Sequence, residues 1–131
     1  TEKYAHLTCF FSGGQEAPYE GEARILVLSP RVATCDLAPQ MSAREVTDAI
    51  LASLSKGKTD VHVVHFVNAY MVGHIGIHEA ALEAVETVDG SLKQIVPAVV
   101  ERGGTVAITA DHGNSEQHWD PASDQPHTAH T

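Results

Sequence analysis

The stretch Val106-Ala107-Ile108-Thr109-Ala110-Asp111-His112-Gly113-Asn114 joins a short apolar run to an acid, a histidine, a glycine and an amide. The run predicts a strand over residues 105–110, and in open α/β sheets ligands collect beyond the carboxyl ends of strands. Asp111 and His112 offer one oxygen and one imidazole nitrogen, which is half of a divalent-metal site. The alternative is an ordinary turn, because Asp, Gly and Asn all favour turns.

Two further histidine motifs flank this stretch. Upstream, Asn68-Ala69-Tyr70-Met71-Val72-Gly73-His74-Ile75-Gly76 follows another apolar run, and downstream the chain ends in Pro126-His127-Thr128-Ala129-His130-Thr131. Such motifs are the parts from which a clustered metal centre is built. We expect His74 and the downstream pair, His127 and His130, to supply parts of that centre.

The hydrophobic periodicity predicts an alternation of strands and helices. Ser42 and Glu45 form a capping box before a helix over residues 43–54, and a continuous apolar stripe predicts a long helix over residues 77–102. Short apolar or β-branched runs predict strands over residues 4–11, 25–28, 61–67 and 105–110.

A strand, a long helix and a second strand make a βαβ unit, in which the two strands are parallel. The carboxyl ends of parallel strands meet at one edge of the sheet. We therefore expect His74 to lie beside Asp111 and His112, although these residues are distant in sequence.

Composition excludes several classes of protein. The 131 residues are 43% hydrophobic and 19% charged, with a net charge of −9, so a nucleic-acid partner is not expected. No apolar run is long enough for a membrane span, and no signal-peptide pattern opens the chain. Cys9 and Cys35 are expected to be reduced thiols of a cytoplasmic protein. Because the chain begins at Thr1 and stops directly after a histidine pair, we expect a piece of a longer protein.

Four stretches, taken together, resemble the cofactor-independent phosphoglycerate mutase family. They are Thr1-Glu2-Lys3-Tyr4-Ala5-His6, Met71-Val72-Gly73-His74, Thr109-Ala110-Asp111-His112-Gly113-Asn114 and His127-Thr128-Ala129-His130-Thr131. The resemblance covers nearly the whole chain. It implies a three-layer α/β/α fold with a mostly parallel sheet, as part of an alkaline-phosphatase-like domain. Residues 1–131 would then be the C-terminal part of that metal-binding domain, with no second domain in the chain.

The resemblance also implies an activity and a set of ligands. Members interconvert 2-phosphoglycerate and 3-phosphoglycerate in glycolysis through a phosphoserine intermediate, with two divalent ions, commonly Mn²⁺, and no bisphosphoglycerate cofactor. One ion would be held by His74 and His130, and the other by Asp111 and His112. Lys3 matches a lysine near the transferring phosphoryl group. The complete enzyme is expected to be a monomer.

Two departures from the family pattern matter. Tyr70 stands where the family has an aspartate ligand, and a phenol with a pKa near 10 is a poor substitute for a carboxylate. No segment of this chain supplies the nucleophilic serine, so the isolated chain is expected to be inactive without a missing N-terminal segment. The alternatives are a non-catalytic metal-binding or interaction fragment with a decayed site, and another phosphoester hydrolase of the same superfamily.

Overall fold

The fold is known from a computed structural model that describes residues 3–131. Helices and loops dominate this part of the chain, and a single short hairpin is its only hydrogen-bonded sheet. The elements are a π-helical segment (His6–Phe10), a 3₁₀ turn (Cys35–Leu37), helices α1 (Ala43–Lys56), α2 (Asn68–Gly73) and α3 (His78–Val100), and strands β1 (Trp119–Asp120) and β2 (Gln125–Pro126). The strands pair antiparallel, with Trp119 opposite Pro126.

Both helices predicted from periodicity are confirmed. The predicted helix over residues 43–54 corresponds to α1, which ends at Gly57 in a left-handed conformation with φ of 61°. The predicted helix over residues 77–102 corresponds to α3, which contains Pro97. Within residues 3–131, neither of these helices nor α2 is both long enough and apolar enough to cross a bilayer.

The predicted capping box at the start of α1 is wrong. The Ser42 side chain makes no hydrogen bond to the first turn of the helix. Its hydroxyl instead donates to the Leu28 carbonyl oxygen at 2.6 Å. Through this bond, Ser42 joins the preceding chain to the start of α1.

The core lies where α3 packs against α1 and α2. Val72 of α2 is fully buried against three alanines of α3, namely Ala80, Ala81 and Ala84. Alanine leaves little side chain between two helix axes, so α2 approaches α3 closely. This contact fixes the position of α2, whose residues begin the histidine motif at 68–76.

The strand predicted over residues 4–11 is also wrong, because this segment is helical. The Phe11 amide donates to the His6 carbonyl at 2.9 Å, and the Gly14 amide donates to the Cys9 carbonyl at 2.8 Å. Both bonds span five residues, as in a π-helix. The preference of such residues for strands depends on a neighbouring strand, which the described part of the chain does not offer here.

Three other predicted strands, at residues 25–28, 61–67 and 105–110, are called the apolar segments below. No strand is assigned to them, and no backbone hydrogen bond joins any two of them within residues 3–131. Their large side chains are partly exposed, at 75% for Val61 and 66% for Ile108. The expected parallel pairing is therefore absent here, because a strand needs a partner on at least one edge. The three-layer arrangement stays a prediction.

Candidate metal centre

Six side chains from separate segments of the chain lie together at one place, called the histidine edge below. Its members come from α2 and the turn after it, from the loop that follows residue 110, and from the two ends of the described chain. They are Lys3, Tyr70, His74, Asp111, His112 and His130.

Helix α2 is held against the loop at residues 111–116 by a hydrogen bond and by close packing. The Ser115 hydroxyl donates to the Ala69 carbonyl at 2.8 Å. Gly73 faces the Asn114 side chain so closely that a Cβ at this position would overlap the amide oxygen and lie 2.9 Å from the Ser115 hydroxyl. Asn114 is itself buried, with 7% of its surface exposed. Only glycine permits this approach of the helix to the loop.

The last residues of the chain close over the same loop. The Thr131 amide donates to the Gly113 carbonyl at 3.0 Å, and the Asn114 side-chain amide donates to the Ala129 carbonyl at 3.2 Å. The Thr131 hydroxyl also bonds the Glu116 carboxylate. These contacts hold His130 over the histidines of the other two segments.

The hydrogen bonds of two imidazoles set their orientation. His74 Nδ1 lies 2.6 Å from the Thr128 carbonyl oxygen, and His112 Nδ1 lies 3.0 Å from the Gly113 carbonyl oxygen. Because a carbonyl can only accept, Nδ1 carries the proton in both rings. In the neutral rings Nε2 therefore keeps its lone pair, which is the arrangement found in metal-ligating histidines.

The Tyr70 ring lies among the imidazoles. Its centroid is 4.6 Å from that of His74, 5.5 Å from that of His112 and 5.7 Å from that of His130. The His112 and His130 rings stack with centroids 3.6 Å apart, whereas those of His74 and His130 are 5.1 Å apart. On the Tyr70 ring, the Lys3 ammonium nitrogen lies 3.9 Å from the centroid, as in a cation–π contact.

The electrostatics favour an ionised Asp111 and a neutral His130. Desolvation raises the pKa of Asp111, but a backbone hydrogen bond and the nearby His112 outweigh it, so the pKa lies below its ordinary value. An Asp111 carboxylate oxygen lies 3.7 Å from His112 Nε2. Desolvation, together with His112 and His74, lowers the pKa of His130. A carboxylate and uncharged imidazoles are the protonation states that bind a cation.

The fit of this arrangement to a metal ion is partial. The imidazoles present free nitrogens, but Tyr70 brings a ring where a carboxylate would complete a ligand set. Within residues 3–131, no three His, Cys, Asp or Glu side chains converge closely enough to hold an ion. The metal roles of His74, Asp111, His112 and His130 stay predictions.

The residues singled out from the sequence are largely brought together, although by a different route from the one expected. The predicted parallel strands do not carry them, and contacts between α2 and two loops do. His127 lies apart from the edge, where its backbone amide bonds the His118 carbonyl at 2.9 Å. The positioning roles of Gly73, Asn114 and Ser115 were missed, and a glycine within the short helical motif was the available signal.

Comparison with known proteins places these features in context. The family model for the metalloenzyme superfamily matches residues 1–131. The 2,3-bisphosphoglycerate-independent phosphoglycerate mutase of Serratia proteamaculans is 55% identical over 131 residues, covering 100% of this chain and 26% of its own length. The mutase of the same name from Acetivibrio thermocellus is 57% identical, with the same coverage.

A solved structure agrees with these relatives. The phosphoglycerate mutase of Leishmania mexicana, crystallised at low cobalt concentration, superposes with a TM-score of 0.88 at 32% sequence identity. The match covers 99% of this chain and 26% of that protein. The chain thus has the fold of the corresponding part of that structure, and it spans about a quarter of the length of the relatives it matches.

Proposed function

The chain belongs to the metalloenzyme superfamily, and we propose that it is the C-terminal part of a phosphoglycerate mutase that interconverts 2-phosphoglycerate and 3-phosphoglycerate. The observation that carries this proposal is the packing of the His130 ring against the His74 and His112 rings, in a chain that is 55% identical, along its whole length, to a named mutase. The names of the relatives favour a mutase over a phosphoester hydrolase.

The family pattern places two ligand sets on this chain, His74 with His130 and Asp111 with His112. A divalent ion held by Asp111 and His112, with Mn²⁺ the expected metal, would lower the pKa of a hydroxyl nucleophile and neutralise charge on the phosphoryl oxygens. The chain's own contribution is orientation, because backbone carbonyls fix the His74 and His112 rings with Nε2 free. Lys3 adds a positive charge at the same edge, which stabilises a phosphoryl group electrostatically.

The proposed partner of this chain is the remainder of the same polypeptide, which would supply the nucleophilic serine. The apolar segments support this proposal, because they expose large β-branched side chains that a sheet would normally bury. We propose that the complete protein is a cytoplasmic monomer that acts on phosphoglycerate and binds neither nucleic acid nor membranes.

The test is an assay of the complete protein for conversion of 3-phosphoglycerate into 2-phosphoglycerate, followed by phosphorus NMR. We expect His112→Ala to lower kcat by about 100-fold or more, the scale on which one lost electrostatic contact acts. His127→Ala is the matched control, because this histidine lies outside the edge, and it should leave turnover within about twofold. Equal activity of the two variants would refute the assignment, and turnover by residues 1–131 alone would refute the proposed need for the remainder of the polypeptide.

A further inference from the structure

Tyr70 stands at the position where the family pattern has a metal-binding aspartate. We propose that its ring closes the His74–His130 subsite, so that the centre binds a single divalent ion, on the side of Asp111 and His112. This inference rests on the proposed metal centre, and it concerns how many ions the centre takes.

His74 and His130, the two histidines of this subsite, lie at the spacing expected of two ligands of one ion. Two imidazoles that share one ion, with metal–nitrogen distances of about 2.1 Å, have centroids about 5 Å apart. The His74 and His130 centroids are 5.1 Å apart. The His74 ring is also fixed through Nδ1 to the Thr128 carbonyl. The spacing of the two histidines therefore suits a metal ion, and the departure from the family pattern lies in the third side chain, Tyr70.

The third side chain, Tyr70, is a phenol where a carboxylate would complete the ligand set. A hard ion would therefore meet two imidazoles without a carboxylate beside them. Hard divalent ions such as Mn²⁺ favour carboxylate oxygen. The donor set at His74 and His130 therefore suits such an ion poorly.

The ring also occupies space within the edge. Tyr70 meets His74 at an interplanar angle of 87° with centroids 4.6 Å apart, which is an edge-to-face contact between packed rings. It makes a similar contact with His112 at 5.5 Å. An aspartate at this position would leave most of that volume open, because its side chain ends at the level of the ring's Cδ atoms and has nothing in place of the Cε and Cζ atoms.

Lys3 holds the ring from another direction. Its ammonium nitrogen lies 3.9 Å from the Tyr70 centroid, so the cation–π contact favours the observed position of the ring. The same positive charge repels a second cation at the edge. The Tyr70 ring and the Lys3 ammonium thus both disfavour a second ion beside His74 and His130.

The experiment is a count of bound Mn²⁺ in the complete protein, by equilibrium dialysis and elemental analysis. The protein with Tyr70 should bind about one equivalent, and Tyr70→Asp should bind about two, the complement of a two-metal phosphoryl-transfer site. Tyr70→Phe keeps the ring and removes the hydroxyl, so it should still bind about one. Far-UV circular dichroism confirms that each variant keeps its helices.

Three outcomes would overturn the inference. Two equivalents bound by the protein with Tyr70 would show that the ring does not close the subsite. A single equivalent bound by a folded Tyr70→Asp would show that something else does. A loss of Mn²⁺ in Tyr70→Phe would make the hydroxyl a ligand, which also contradicts the proposal. Because the readout is a metal count, it stands apart from mutase turnover: absent turnover with the predicted counts would refute the mutase assignment alone.

Discussion

The histidine edge and the apolar segments differ in the hydrogen bonds that their own residues make to one another. At the edge, α2, the loop at 111–116 and the last residues are joined by hydrogen bonds among themselves, including Ser115 to Ala69 and Thr131 to Gly113. The apolar segments make no such bonds to one another, and Val61 is 75% exposed. The contacts of the edge lie within the chain, whereas the apolar segments are not paired with one another within residues 3–131.

The difference shows that contacts between α2 and the loops hold these side chains together without pairing among the apolar segments. Helix α2 is placed by the burial of Val72 against α3, and the loops are placed by α2. Neither step requires pairing of the apolar segments. We therefore expect substitutions at the contacts between α2 and the loop at 111–116 to lower the free energy of unfolding far more than substitutions in the apolar segments.

The largest effect is expected at Gly73. In Gly73→Ala the new methyl group would overlap the buried Asn114 side chain, so we expect a loss of about 2–3 kcal/mol in the free energy of unfolding. Gly90→Ala is the matched control, because Gly90 lies within α3 with nothing within 4 Å of a Cβ. That variant should gain about 0.5–1 kcal/mol. Urea unfolding measures both, and a neutral Gly73→Ala would break the comparison.

A smaller loss is expected at Asn68, which begins α2. Its side-chain amide donates to the Pro39 and Gln40 carbonyl oxygens, each at 2.9 Å, and only 2% of the residue is exposed. Asn68→Ala strands these acceptors and should cost about 2 kcal/mol. Gln94→Ala removes an exposed side-chain bond to the Gly90 carbonyl and should change stability by less than about 0.5 kcal/mol. Similar losses in both variants would show that α2 is not anchored there.

Ser115→Ala removes one bond between the loop and α2, so a loss of about 1 kcal/mol is expected. Ser55→Ala removes an exposed bond within α1 and should leave the unfolding midpoint unchanged or slightly raised. Thermal unfolding of the two proteins side by side would decide. A greater loss in Ser55→Ala would contradict the assigned role of Ser115.

The smallest effect concerns His65, in the segment at 61–67. Burial lowers the pKa of this histidine, His6 and Lys3 lower it further, and Asp111 opposes them. Because the folded-state pKa is the lower one, the unfolded state binds more protons as the pH falls through about 6.5, and stability falls with it. Stability at several pH values should therefore fall less steeply in His65→Gln. Equal slopes would mean that the segment leaves His65 as exposed as in the unfolded chain.

The sequence was sufficient for α1 and α3, although α2 was not predicted, and it singled out residues that lie together at the histidine edge. Helix periodicity is local, so α1 and α3 were found within a few residues of their ends. The segment at 4–11 was misjudged, since strand preference depends on distant neighbours. Ser42 was misjudged because its acceptor, the Leu28 carbonyl, lies outside the helix. The contact between Tyr70 and Lys3 joins residues far apart in the chain, and no local pattern predicts it.

Amide hydrogen exchange of residues 1–131 alone tests the contrast between the two regions most directly. We expect the amides of 61–67 and 105–110 to exchange at nearly the rate of an unstructured peptide. The amides in the middle of α3, which are bonded within the helix and packed on α1 and α2, should exchange at least about 100-fold more slowly. Equal protection of the apolar segments and α3 would contradict this account, because it would show that the segments pair without any further part of the protein.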